Sequence, residues 1–276
     1  MTEHAPNQDP DQDPAAPVLY AVADGIATIT LNRPDAMNSL DVATKEALLA
    51  AVLRAADDPA ARCVVLTGTG RAFCVGQDLK EHIGLLAEDP DGALSSTVEA
   101  HYNPTVTALL TMPKPVVAAV NGVAAGAGAS LAFACDFRIL ADGAGFNLAF
   151  AGIALSCDTG SSWTLPRLVG RAKALELLYF PSTIKAPEAL ELGLATRVVP
   201  ADELSTTVAE LAGRLAQGPT VALGSIRQAV TFSADHPLEE SVAHEAQLMA
   251  RTGATQDHRD AVASFVAKER PTFKGR

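Results

Sequence analysis

The sequence is short of everything that would tie it to a membrane, a disulfide scaffold or a nucleic acid. No apolar run approaches the ~20 residues needed to cross a bilayer. The N-terminal MTEHAPNQDPDQDPAAP has no basic stretch leading into an apolar one, so no secretory signal is expected. Four cysteines (Cys63, Cys74, Cys135 and Cys157) in 276 residues are too few for a disulfide framework. They read as free thiols of a reducing, cytoplasmic compartment. No histidine is close in sequence to Cys74 or Cys157, so each reads as a small buried hydrophobe rather than a catalytic thiol. Basic residues are outnumbered, 21 Lys and Arg against 32 Asp and Glu, for a net charge of -11. That excludes a general nucleic-acid surface, while a local basic patch for one anionic ligand stays open. Motifs are missing too: no G-x-x-x-x-G-K-[ST], no G-x-S-x-G and no H-E-x-x-H, so no metal site is expected.

What remains is a globular composition, 48% hydrophobic and 19% charged, long enough for a sizeable core. Residues 1–17, with four prolines and four acids, read as a disordered tail. Residues 18–200 read as an α/β core and 201–276 as a helical region. Val18–Ala23 and Ile26–Leu31 flank Asp24-Gly25 and predict a hairpin. Asp41 predicts an N-cap for a helix to about Ala56. Cys63–Leu66, Val116–Val120, Phe137–Ala141 and Thr196–Val199 read as strands, and Thr67–Gly70 as a turn. Residues 76–101 read as a broken helix or loop. Tyr102–Thr111 and Ala127–Cys135 read as helices, and the last 75 residues as three more.

Gly122-x3-Gly126-x-Gly128 follows a strand and opens a helix, with Asp142 20 residues after Gly122. The spacing suggests the phosphate turn of a short-chain dehydrogenase. That reading fails on the tyrosines: the residues four positions after Tyr20, Tyr102 and Tyr179 are Asp24, Val106 and Thr183, never the lysine such enzymes need. A turn of this kind can instead hold an oxyanion. A second turn, Arg71–Lys80, could supply another backbone N–H. The bland alternative is that the Gly/Ala run serves close helix packing.

Arg33-Pro34 with Ala36-Met37-Asn38-Ser39-Leu40, then AFCVGQDLK, Lys114-Pro115-Val116 leading into NGVAAGAGASLA, and LPRLVGRAKALELL resemble the crotonase (enoyl-CoA hydratase/isomerase) superfamily in order and spacing. FCVGQDL, HYNP and the Trp163 segment are most similar to its ring-1,2-epoxyphenylacetyl-CoA isomerases of phenylacetate degradation. The resemblance runs from about residue 18 to 274. It implies an α/β spiral of ββα units with a helical C-terminal region that trimerises, often as a dimer of trimers. It also implies an acyl-CoA substrate, with coenzyme A as part of that substrate and no separate cofactor. The oxyanion donors would be the N–H groups of Gln77 and Ala127. Ala36, Met37, Leu40, Val75, Gly76, Asp78, Leu79, Lys80 and Gly126 would line the substrate path. The basic C-terminal stretch, with Lys274, would meet CoA phosphates, in some relatives those of a neighbouring subunit.

The departures bear on the reaction. Counted without gaps, the two glutamates of the hydratases fall on Ser130 and Phe150, which cannot transfer a proton at neutral pH. Asp158 falls on the acid of the isomerases and of the 4-chlorobenzoyl-CoA dehalogenases, though His101 and Trp163 do not match the latter's further residues. The resemblance therefore implies an isomerase, with a hydratase or a non-catalytic acyl-CoA binder as alternatives. Around Asp158, Cys157 replaces the usual Pro, and Gly160-Ser161-Ser162 replaces Gly-Gly-Thr, a change that could move the carboxylate. Without the resemblance, Asp158 reads as an N-cap for the helix that follows.

Overall fold

The computed structural model describes residues 13–88 and 96–276. The first twelve residues of the expected tail therefore lie outside the described residues. Asp13–Pro17 are not loose: Asn32 donates from Nδ2 to the carbonyls of Pro14 and Ala16, and from its N–H to that of Pro17. The polar Asn32 side chain captures carbonyls there that would otherwise face water.

The hairpin forms where Asp24-Gly25 predicts it. β1 (Val18–Ala23) pairs antiparallel with β2 (Ile26–Leu31), and both turn residues have positive φ, 52° and 79°. Asp41 accepts from the Thr44 N–H at 2.8 Å and caps α1 (Val42–Asp57), whose Leu48, Val52 and Ala55 are buried. The core then builds by repetition. β3 (Cys63–Gly68) and β4 (Ala72–Cys74) are followed by α2 (Leu79–Glu88) and α3 (Asn103–Thr111). β5 (Val116–Val120) and β6 (Val123–Ala125) lead to α4 (Ala127–Phe133). β7 (Phe137–Ala141) and β8 (Gly145–Asn147) lead into a loop, then α5 (Ser161–Val169) and α6 (Arg171–Tyr179). β9 (Ile184–Lys185), α7 (Ala186–Glu191) and β10 (Arg197–Val199) complete the core.

After the β1–β2 hairpin, the pairs β3–β4, β5–β6 and β7–β8 each send their first strand to one sheet and their second to another. The larger sheet runs β1-β2-β3-β5-β7-β10 and the smaller β4-β6-β8-β9. All pairings are parallel except β1–β2 and β8–β9. β5 is buried at all five positions, as a parallel strand covered on both faces must be.

The C-terminal region holds four helices, α8 (Leu204–Ala216), α9 (Thr220–Ser233), α10 (Leu238–Gly253) and α11 (Gln256–Ala267), not the three expected. Three breaks separate four segments, and Thr255 caps the last through its hydroxyl. α8 buries Leu204, Val208, Ala212 and Ala216, one residue per turn, against the larger sheet. α9 to α11 leave Ile226, Val230, Leu238, Met249, Phe265 and Val266 exposed. No helix among the described residues is long and apolar enough to cross a membrane.

Candidate active site

A cavity of about 680 Å³ opens where the smaller sheet's strands end. Its walls include Ala36, Met37, Val75, Gly76, Gln77, Asp78, Leu79, Lys80, Gly126, Ala127 and Asp158, all expected from sequence. Two expected residues do not line it. Leu40 is fully buried; its N–H bonds the Gly76 carbonyl at 2.8 Å and its carbonyl accepts from Asp78, so it ties the loop from behind. Lys274 lies elsewhere in the chain, where its backbone N–H donates to the buried Asp257 carboxylate of α11. That carboxylate fixes the C-terminal strap by taking N–H groups from both Lys274 and Gly275.

The two N–H groups come from neighbouring parallel strands. β4 ends at Cys74 and β6 at Ala125, and the chain turns directly after each. Gly76, at φ 83°, lets the first turn press on the second: a Cβ there would stand 2.9 Å from the Ala125 carbonyl oxygen and 3.3 Å from the Ala127 nitrogen. Gly128 lets α4 rest on β4, since a Cβ would lie 2.1 Å from the Cys74 carbonyl oxygen. Close packing and the turn are thus served by the same glycine run. Neither the Gln77 nor the Ala127 N–H donates to a protein acceptor among the described residues. Cys74 is fully buried and its thiol is pushed up to about 12, which excludes a thiolate role at neutral pH.

Asp158 is not an N-cap. α5 begins after Gly160 with no side-chain cap, and Asp158 contributes only its backbone carbonyl, to the Ser161 N–H at 3.0 Å. Its carboxylate faces the cavity and accepts from the Thr159 hydroxyl at 2.8 Å. Burial pushes this carboxyl above the ordinary range, against the opposing pull of the Thr159 bond. Thr159 and Gly160 both have positive φ, 50° and 75°. The former is costly for a β-branched residue and sits beside the Asp158 carboxylate. The altered loop is anchored by another departure: the buried hydroxyls of Ser161 and Ser130 bond to each other, and Ser130 also bonds the Gly126 carbonyl. Phe150 lines the cavity as an apolar wall.

Sequence reasoning missed several residues in and behind the cavity wall. Tyr102 donates its hydroxyl to Gln77 Oε1 at 2.7 Å. Burial raises the phenol, and the nearby Asp158 charge raises it further, so it stays a neutral donor. Lys45, 2% exposed, donates to Thr97 Oγ1 at 2.7 Å and to Gln77 Oε1 at 3.3 Å. Arg33 joins Asp41 at 3.0 Å and Asp78 at 3.1 Å at the cavity mouth. Burial raises the Asp78 carboxyl, but hydrogen bonds from Ser39, Glu81 N–H, Arg33 and Lys80 N–H outweigh it and hold it below the ordinary range. A periodic apolar pattern marks none of these partners, which lie up to 52 positions apart. Trp163 stands apart, stacked under Arg167 at 4.1 Å beside a second cavity with Phe133, Ile226 and Val230.

Two backbone donors and one desolvated carboxylate around one cavity form an arrangement that can polarise a carbonyl and move a proton beside it. Residues 21–276 match the model of the enoyl-CoA hydratase/isomerase family. The chain is 40% identical over 260 residues to the 1,2-epoxyphenylacetyl-CoA isomerase of Escherichia coli, covering 94% of this chain and 98% of that one. It is 34% identical to the crotonyl-CoA hydratase of Syntrophomonas wolfei, covering 93% and 97%. The crystal structure of an enoyl-CoA hydratase from Bacillus anthracis superposes with a TM-score of 0.87 at 33% identity, covering 94% and 100%. The chain belongs to the enoyl-CoA hydratase/isomerase family, with the crotonase fold, and acts on CoA thioesters.

Proposed function

We propose that the protein is an acyl-CoA isomerase. The observation that carries this reading is the placement of Asp158: a desolvated carboxylate, free of any capping duty, in the cavity that holds the Gln77 and Ala127 N–H groups. In a 3-enoyl thioester, Asp158 takes a proton from the carbon beside the carbonyl. The bonding pair moves onto the thioester oxygen, where the two N–H groups stabilise the enolate charge. The carboxylic acid so formed returns the proton to the far end of the diene-like system. The double bond shifts by one carbon and the carboxylate is regenerated. The same charge-holding site suits opening of a ring epoxide conjugated to an enolate, the reaction type that the name of the Escherichia coli relative suggests. No cofactor beyond the substrate's coenzyme A is required.

Hydration asks for a second proton-transfer group near the water. The positions that would supply it hold buried Ser130 and Phe150, and Asp78 is spent on Arg33 and Ser39. The apolar residues exposed on α9 to α11 favour a homotrimer or dimer of trimers.

The test is turnover of a 3-enoyl-CoA and an epoxyphenylacetyl-CoA, beside hydration of crotonyl-CoA, by wild type and Asp158→Asn. Isomerisation lost by ~10²- to 10⁴-fold in the variant supports the reading. Full activity in the variant, or fast crotonyl-CoA hydration by wild type, overturns it. CoA-ester binding without turnover across a broad acyl panel would make the protein a binder.

A further inference from the structure

Gln77 carries a second donor that none of the described residues uses. Its Oε1 accepts from Tyr102 at 2.7 Å and from Lys45 at 3.3 Å. The lysine ammonium can only donate, so the amide cannot be turned the other way. The nitrogen is therefore fixed on the opposite side. Nε2 is buried and has no hydrogen-bond partner among the described residues, although Gln77 lines the cavity together with Asp158 and Tyr102. A buried amide donor held in place by two donors at its other end is disfavoured until an acceptor arrives. Val75, Phe150, Ile153 and Leu155 make part of the cavity wall apolar, and the carboxylates on the same wall, Asp78 and Asp158, make no bond to this nitrogen.

We infer that the Gln77 side-chain amide is a specificity determinant, selecting acyl groups that carry an oxygen acceptor beyond the thioester. The backbone of Gln77 would serve the thioester oxygen and its side chain a second oxygen, an ether, epoxide or carbonyl. Lys45 and Tyr102 are positioning residues that aim the amide. The inference deepens the isomerase reading, but it predicts binding as well as turnover and so can fail separately.

The probe is a matched set of unreactive thioesters: each ring isomer of (methoxyphenyl)acetyl-CoA and its ethyl counterpart, in which a methylene replaces the ether oxygen. Dissociation constants are measured for wild type, Gln77→Met and Gln77→Glu. At least one methoxy isomer should bind wild type tenfold or more tightly than its ethyl partner. That ratio should fall to within about twofold in Gln77→Met, which keeps the length and loses the donor. Gln77→Glu keeps an oxygen for Tyr102 and Lys45 and puts an acceptor where the donor was, so it should disfavour the methoxy isomer. No preference above twofold in wild type for any isomer overturns the inference, as does a preference that survives in Gln77→Met. A wild-type preference without turnover of any substrate would sink the isomerase reading and leave this one standing.

Discussion

Tyr102 and Gln77 meet at 2.7 Å, phenol hydroxyl to amide oxygen, and this one bond joins the helical segment before α3 to the loop that carries a proposed oxyanion donor. Tyr102→Phe leaves the ring packed and removes only the tether. We expect kcat/KM to fall roughly 5- to 50-fold, mostly in kcat, since the Gln77 N–H loses part of its orientation. Stability should drop by about 1 kcal/mol. An unchanged kcat would mean that Lys45 alone holds the loop.

Asp158 sets opposite pH demands on activity and stability. In the proposed isomerisation the base is the carboxylate, so kcat/KM should decline on the acid side with an inflection above the ordinary carboxylate range. For the fold the sign reverses. Burial raises this group above its unfolded value, so the stabilising protonation is complete below the ordinary carboxylate pKa and lost as pH rises through the raised one. Asp158→Asn should raise Tm at pH 7 by roughly 1–4 °C. The gap from wild type should close below about pH 4. Thermal melts across pH check this, and a variant less stable than wild type at pH 7 would contradict it.

Gly76→Ala tests the close approach of the two turns. The substitution adds a methyl 2.9 Å from the Ala125 carbonyl oxygen at a backbone with φ 83°. A cost of about 1–3 kcal/mol in stability is expected. The turn must shift the Gln77 N–H, so kcat should fall by ~10²-fold or more while thioester affinity changes less. Equal losses in kcat and affinity would point to a merely collapsed pocket.

Arg227 tests the join between the helical region and the core. Its Nε contacts both Asp136 oxygens at 2.7 and 2.9 Å, and its Nη groups cap the carbonyls of Leu109, Leu110 and Met112 at the end of α3. Arg227→Met leaves the partly buried Asp136 carboxylate with only the Val116 N–H as a donor and takes the guanidinium from three carbonyls. Destabilisation of about 2–4 kcal/mol should follow, read by denaturant unfolding. A loss below about 0.5 kcal/mol would mean that water replaces the guanidinium at no cost.

Much of the architecture was legible because it rests on local signals. Asp24-Gly25 fixes a hairpin, Asp41 caps a helix, and the unbroken apolar run Val116–Val120 marks a strand buried on both faces. The smaller sheet was less legible. β4, β6 and β8 have three residues each and β9 two, too short for alternation to show. Thr67 and Gly68, expected in a turn, extend β3 because β2 offers Thr30 and Leu31 as partners. At the site, the residues in the two turns could be picked out because their motifs are contiguous. Leu40 sits in such a motif yet points into the core, a choice made by the β-bridge to Gln77 that sequence alone does not reveal. Lys45, a charged residue on the inner face of α1, reads as a surface position until Thr97 and Gln77 are brought beside it.

The two proposed oxyanion donors belong to loops that leave adjacent strands of one parallel ladder, β4 and β6, with Ala72 opposite Val123 and Cys74 opposite Ala124. Their separation is therefore written in backbone pairing and owes little to any side chain. Phe150, Ile153, Leu155 and Asp158, which face them, come from the separate stretch between β8 and α5, where most residues are in no strand or long helix. The site is thus divided into a part that substitution scarcely reaches and a part that it rewrites freely. A chain built this way can exchange one proton-transfer reaction for another by changing a single loop, while the groups that bear the charge stay where the ladder put them.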